Sequence, residues 1–572
     1  MRGRGGLLAA ARGDAPCELL LTNARVVNTF TAEVEHTCVA VYHGRIAGLG
    51  DYSAAEQVVD LKGRFLVPGL IDGHVHPESS YLDVGQYARA VVPRGTLGVV
   101  TDLHEIANVA GLEGLRYVTG RSRRVPIDMF FMAPSCVPSS SLETTGARLG
   151  PQEIRRLLRW RGFIGLGEVM DFPGVIAGDD GVLAKLRAAG GRVKDGHAPG
   201  LCGKALNAYL TALIGSDHEA TTYDEGLEKL RRGMFLMIRE GSAEKNLEAL
   251  LPLVNDSTYH RCMLVVDDRN AKDLHSDGDV DAVVRKAVGL GLDPIRAVQM
   301  TTVNPARYFG LEGLGAIAPG YWANLLVLED LKAFRVEQAY YRGRLVAQEG
   351  RPLFGVGAGE PPSLAHTVNI RPFSSSDLVL RSSKDTLPVI EIVPGQIVTR
   401  RTDERVQVRD GIVVPDPSRD LLRLVVVERH HATGNIGVAL VRGFGLKRGA
   451  LASSVAHDAH NVVAVGVSDE EIYAAVKEVE REQGGLAVVG GGKTLASLPL
   501  PIAGLLSREP LETVVGKLEE LEGAARGLGC SVDSPFSVLS FLALPVIPEL
   551  KLTDRGLVDV MQGRLLSWHS GT

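Results

Sequence analysis

His74 and His76 are separated by one residue within Pro68-Gly-Leu-Ile-Asp-Gly-His-Val-His-Pro-Glu-Ser-Ser80. In an extended chain alternate side chains leave the same face, so both imidazoles can reach one cation. Further along, a series of apolar runs each ends on a group that could bind metal or move a proton. Leu97-Gly-Val-Val-Thr is followed by Asp102, His104 and Glu105; Phe163-Ile-Gly-Leu-Gly ends on Glu168; Arg192-Val-Lys-Asp-Gly ends on His197; Ser216-Asp precedes His218; Met263-Leu-Val-Val ends on Asp267 and Asp268. A single histidine or carboxylate at such a position is ordinarily a solvated or capping residue. Its recurrence after one apolar run after another is not explained that way. Imidazole and carboxylate donors suit Zn, Mn or Fe, and His74, His76, Glu168, His197, His218 and Asp267 are enough to hold two ions bridged by a carboxylate and a water.

Such donors need a scaffold that delivers strand ends to one place. Residues 66–314 alternate strand-like and helix-like segments, the pattern of βαβ units and a largely parallel sheet. That span suits a (β/α)8 TIM-like barrel, whose working groups lie at strand C-termini. Residues 17–65 read as short strands with His43-Gly44 at a hairpin turn, and the pattern resumes over 315–365 with Gly343 at another. This predicts a small discontinuous β-domain. A Gly- and Pro-rich linker, 355–363, leads to an additional C-terminal α/β domain over 366–572, with a strand at Leu424-Val-Val-Val and a helix from Asp469 to Gln483. Residues 1–16 are expected to form a flexible lead-in. The run Leu227 to Glu240 reads as helix, leaving Arg239-Glu240-Gly241-Ser242 as a helix end or a substrate-facing loop.

The segment around His74 and His76 resembles the first-strand signature of the amidohydrolase superfamily. Gly167-Glu-Val-Met-Asp-Phe-Pro-Gly-Val, Asp195-Gly-His-Ala-Pro-Gly-Leu, Leu206-Asn-Ala-Tyr and Ser216-Asp-His-Glu narrow the resemblance to its adenine deaminase family. Val441-Arg-Gly-Phe-Gly-Leu-Lys and Ala452-Ser-Ser-Val-Ala-His-Asp-Ala-His-Asn extend it into the C-terminal part. The resemblance implies hydrolytic deamination of adenine to hypoxanthine and ammonia, a metal-activated hydroxide attacking C6. It implies that His74, His76, His197, His218 and Asp267 bind two divalent ions, Mn(II) or Fe(II), with Zn(II) left open, and that Glu168 bridges them. Asp267 would also carry the proton from the attacking water to the leaving amine. The acid for the ring nitrogen stays open among Glu78, His104, Glu105, Glu219 and Asp268; His104 and Asp268 join Asp267 and Glu168 as catalytic candidates. Leu103, Val266 and Asp279 depart from the family pattern, and Asp279, standing where His is expected, keeps a second reading open: hydrolysis of a substituted purine or a cyclic amide. A non-catalytic binding protein on the same scaffold is the third and most distant reading.

Composition points to small-molecule partners. With 45% hydrophobic residues, a net charge of −6 and 572 residues, the chain can bury several cores and gives no electrostatic case for nucleic acid or an anionic membrane. Six cysteines without a C-x-x-C pair fit a reducing compartment, read as the cytoplasm. A homo-oligomer, dimer or higher, is expected. Gly490-Gly-Gly-Lys-Thr lacks the earlier glycine of a phosphate loop, Ala487 standing in its place. His430, His431, His457 and His460 form a second histidine group, read as structural, with His457 or His460 a candidate for the rim of the site.

Overall fold

The computed structural model describes residues 4–357 and 364–566. Of the linker 355–363, residues 358–363 therefore lie outside the described residues. The leading stretch is not a flexible lead-in: Arg4–Arg12 is a helix, and Ala10 is buried among Cys17, Leu20, Ala40 and Ala47. Its small apolar face, Leu7, Ala10 and Ala11, recurs at helical spacing, so a short run of alanines suffices to dock it.

The strands before and after the central region form one nine-stranded sheet, joined where Phe65–Pro68 pairs antiparallel with Leu325–Leu328. Its hairpin turns at His43-Gly44 and Arg342-Gly343 place both central residues at positive φ. That backbone matches the twist of two tightly joined strands, and glycine meets it without steric cost.

The central region supplies eight strands, each running parallel to its sheet neighbours. They are β1 (Leu70–Asp72), β2 (Thr96–Asp102), β3 (Asp128–Ala133), β4 (Phe163–Val169), β5 (Val193–Gly196), β6 (Ser216–Asp217), β7 (Phe235–Arg239) and β8 (Cys262–Val265). Strands β1 to β5 form one sheet in chain order, and β6 to β8 form a second. Backbone hydrogen bonds connect the two at both edges: Gly215 donates to the carbonyl of Lys194 at 3.0 Å, and beyond β1 and β8 Asp267 donates to His74 and His76 to Asp267, each at 3.0 Å. Ile71, Val100, Met132, Met237, Met263 and Val265 pack together inside this wall, while Leu97 and Val99 of β2 face the surrounding helices. The alternation follows from the period of two along a strand, and burying each such side chain contributes about 1.5–3 kcal/mol. The segment 227–240 is not one helix. Tyr223–Arg231 is helical, Gly233 turns the chain, and Phe235–Arg239 is β7.

The C-terminal part centres on an eight-stranded sheet covered on one face by the helix Asp469–Arg481. Ser468 caps that helix, and Ile472, Ala475, Val476 and Val479 give it a buried stripe at i, i+3, i+4 and i+7. Gly490-Gly-Gly-Lys is a turn between two strands, its amides at Gly491 and Gly492 donating to the Glu471 carboxylate rather than cradling phosphate. This part docks on the face of the central region where the strands end: Ser507 donates to the Tyr81 carbonyl at 2.7 Å, and Asn461 to the Thr144 carbonyl at 2.8 Å. Among the described residues no helix is long and apolar enough to cross a membrane, and all six cysteines are free thiols.

Candidate metal centre

His74 and His76 follow β1, and the carboxylate of Asp72 fixes the approach to them by accepting from the amides of His74 at 3.0 Å and Val266 at 3.2 Å. His76 Nδ1 donates to the Asp102 carbonyl at 3.1 Å, which settles the tautomer and turns Nε2 inward. There the two Nε2 atoms of His74 and His76 lie 3.2 Å apart. Asp267 Oδ1 is 3.4 Å from both. Glu168 Oε1, from the end of β4, lies 3.2 Å from His76 Nε2 and 3.8 Å from His74 Nε2. The other oxygen of Glu168 faces a different pair, His197 Nδ1 at 2.9 Å and His218 Nε2 at 3.3 Å, from the ends of β5 and β6. Glu168 thus presents one oxygen to each of two donor sets. All six side chains are 3% exposed or less.

Asp267 is held in a left-handed backbone conformation, φ 68°. Such a conformation costs a non-glycine residue on the order of 1 kcal/mol; the two backbone bonds to His74 and His76 hold it there. Arg239 completes the positioning. Its guanidinium donates to Asp267 Oδ2 at 2.6 Å and to both oxygens of Glu219, at 2.5 and 2.8 Å, leaving Asp267 Oδ1 for the histidines. Sequence reading missed this role because the segment was assigned to a helix; the available signal was Phe235-Leu-Met-Ile, another apolar run ending on a polar residue.

Electrostatics favours cation binding. Burial alone would raise the carboxyl of Glu168, yet His218, His197 and His76 outweigh it and hold the group well below the usual carboxylate range. Asp267 behaves likewise, with burial opposed by His74, His76 and Arg239. His74 is lowered to about 4, by burial first and by His218 second, so its imidazole is uncharged at neutral pH. Glu168 Oε1 and His197 Nε2 are buried with no hydrogen-bond partner. Two anionic carboxylates, four imidazoles and the unpartnered Glu168 Oε1 form a donor set that fits divalent cations.

The remaining candidates fall into two groups. His104 packs its ring against His76, 4.7 Å between centroids, with Nδ1 3.5 Å from Glu168 Oε1 and Nε2 3.2 Å from Glu105. Asp268 accepts from Ser79 Oγ and lines a cavity with Ser79, Val455, His457, Ser540 and Phe541. Glu78 is buried and pushed to about 7 by that burial. Glu105 pairs with His457 and His460 of the C-terminal part, whereas His430 and His431 bind the carbonyls of Ala459 and Thr145 at 2.7 and 2.9 Å. The second histidine group is therefore two pairs with different partners. Asp279 is brought to none of these places. It is fully buried at the start of the helix Val280–Gly289 and accepts from Thr96 Oγ1 at 2.6 Å.

Comparison with known proteins identifies the family. An adenine deaminase of Dehalococcoides mccartyi is 56% identical over 560 residues, 98% of each chain. The chain belongs to the adenine deaminase family. "Adenine deaminase 2" of Carboxydothermus hydrogenoformans is 48% identical over 97% of each chain. The amidohydrolase family profile matches residues 65–346, and that of the adenine deaminase C-terminal domain matches 396–564. Membership implies divalent-metal binding, and the donors just described include groups whose ligand atoms lie within 4.8 Å of one another. Among solved structures, L-hydantoinase from Arthrobacter aurescens is 15% identical with a TM-score of 0.46, covering 59% of this chain and 98% of its own.

Proposed function

We propose that this protein hydrolyses adenine to hypoxanthine and ammonia on a two-metal centre. Similarity to adenine deaminases along 98% of the chain carries the choice of substrate. The two parallel sheets are read as one (β/α)8 barrel, in which His74, His76 and Asp267 would hold one ion, His197 and His218 a second, and Glu168 would offer an oxygen to each set. The family resemblance favours Mn(II) or Fe(II), and these donors leave Zn(II) open. When bound, the ions supply Lewis acidity and a water activated near neutral pH.

The residues then move protons in a balanced sequence. As the water oxygen bonds to C6, Asp267 takes one of its protons, and His104 gives a proton to ring nitrogen N1, so that no negative charge accumulates there. His104 has a proton to give: burial opposes its protonation, but Cys136, Glu105 and Asp458 outweigh burial and hold it well above the ordinary histidine value. Asp267 next passes its proton to the exocyclic amine. The C6–N bond breaks, ammonia leaves, and the hydroxyl proton returns to His104 as the C6 carbonyl of hypoxanthine forms. Arg239 keeps Asp267 oriented throughout.

The test is ammonia release by metal-stripped protein titrated with Mn(II), with adenosine, guanine and cytosine as comparison substrates. The expected result is turnover of adenine rising to a plateau near ~2 ions per chain. Two bound ions without adenine turnover would refute the substrate assignment.

A further inference from the structure

The cavity beside the metal centre is walled from two sides. Ser79 and Asp268 come from the loops that follow β1 and β8, whereas Val455, His457, Ser540 and Phe541 come from the C-terminal part. His457 is tied to the central region by Glu105, its Nδ1 2.5 Å from Glu105 Oε1. Phe541 stacks on the imidazole, 4.5 Å between centroids and 15° between planes, which fixes the ring orientation. With Nδ1 engaged and the ring plane fixed, Nε2 is the nitrogen left for the cavity, which Asp268 also lines. The metal donors and His104 explain chemistry at C6 and N1 but leave the far side of the base unread. His457 and Asp268 offer one hydrogen-bonding group each at the place where that side must be recognised.

We propose that the C-terminal domain completes the substrate pocket, with His457 a substrate-positioning residue whose Nε2 donates to purine N3 while Asp268 accepts the neighbouring N9–H. This deepens the adenine deaminase reading and rests on it for the identity of the base. Burial opposes protonation of His457, but Glu105 and Asp268 raise it to about 9, so Nε2 carries a proton at neutral pH. Reading N9–H also separates a free base from a nucleoside, since ribosylation removes that donor. A site that hydrogen-bonds a polar group strongly rejects the analogue lacking it.

The test uses the full-length protein and two replacements of different reach. In His457→Asn the amide nitrogen stands near the former Nδ1 and can keep Glu105 paired, but nothing reaches the position of Nε2. In His457→Gln the amide nitrogen reaches that position. The expected result is a rise of at least about tenfold in KM for adenine in His457→Asn, kcat within about threefold, unchanged metal content, and partial recovery in His457→Gln. Calorimetric binding of hypoxanthine, which has the same N3 and N9 edge, to the metal-free protein should weaken in parallel. 3-Deazaadenine, lacking N3, should bind wild type and His457→Asn equally. An unchanged KM and hypoxanthine affinity in a folded His457→Asn would overturn the proposal, as would a fall in kcat alone. If His457→Asn fails to fold, equal binding of adenine and 3-deazaadenine to wild type overturns it instead. A wild type that binds hypoxanthine in this His457-dependent way yet does not turn over adenine would sink the proposed function and leave the pocket assignment standing.

Discussion

Replacing Arg239 by Met should separate the positioning of the centre from its metals. Arg239 is 2% exposed and is shared by Asp267 and Glu219 through three hydrogen bonds. Removing it leaves two buried carboxylates without their cation. Breaking one side of a buried pair costs about 3–5 kcal/mol, most of it the cost of the stranded charge. Bound cations replace part of the lost positive charge, so the metal-free protein should be destabilised by that amount and the loaded protein by clearly less. Asp267 also loses the group that holds Oδ2, and its affinity for an ion should drop about 10- to 100-fold, as when other ligand-orienting partners are removed. The additional change Glu219→Gln removes one stranded charge and should recover part of the stability but not the metal affinity. Urea unfolding of stripped and loaded protein gives the stability difference, and competition with a chelator gives the affinity of each ion. If Arg239→Met matches wild type in both, or if Glu219→Gln restores metal affinity in full, the reasoning is wrong.

Glu168→Ala should lower bound metal from about two ions to one or fewer per chain, measured by elemental analysis after gel filtration, because it removes an oxygen from each donor set. Lys551 gives a pH-dependent expectation outside the candidate donor set. It is fully buried, donates to the carbonyls of Ile397 at 2.7 Å and Phe541 at 2.9 Å, and is lowered to about 7 by burial. The unfolded chain keeps the ordinary value of about 10.4, so between roughly pH 7 and 10 it binds more protons than the folded one and Lys551 makes stability rise with pH. Below that window both states are protonated and the cost is constant, on the order of a few kcal/mol. Lys551→Met should therefore gain most on wild type near pH 6, the advantage shrinking by pH 10, in denaturant unfolding at each pH; an advantage independent of pH would contradict the assignment.

The parts of the site that could be read in sequence are those governed by local rules. A strand that buries both faces appears as an apolar run, and a polar residue at its end appears as a break, so His74, His76, Glu168, His197, His218 and Asp267 could each be found from their own neighbours. Arg239 obeys the same rule, but the Gly233 turn that separates its strand from the preceding helix is a weak signal inside a segment whose outer parts have helical spacing. Asp279 shows the opposite failure. A charge change near a ligand strand suggested altered specificity, yet its side chain is spent on Thr96 and the start of a helix. The pairing of Glu105 with His457 lies beyond any local rule, since 352 positions separate the two residues and only the docking of the C-terminal part brings them together. That docking also resolves why a histidine-rich loop sits so far along the chain. A carboxylate sealed beside His104 would be costly if it faced apolar surface, and His457 and His460 supply the partners that allow it to remain ionised. The electrostatic need of the central region and the hydrogen-bonding groups of the C-terminal part are thus met by the same contact, which makes the two parts interdependent in stability as well as in the shape of the pocket.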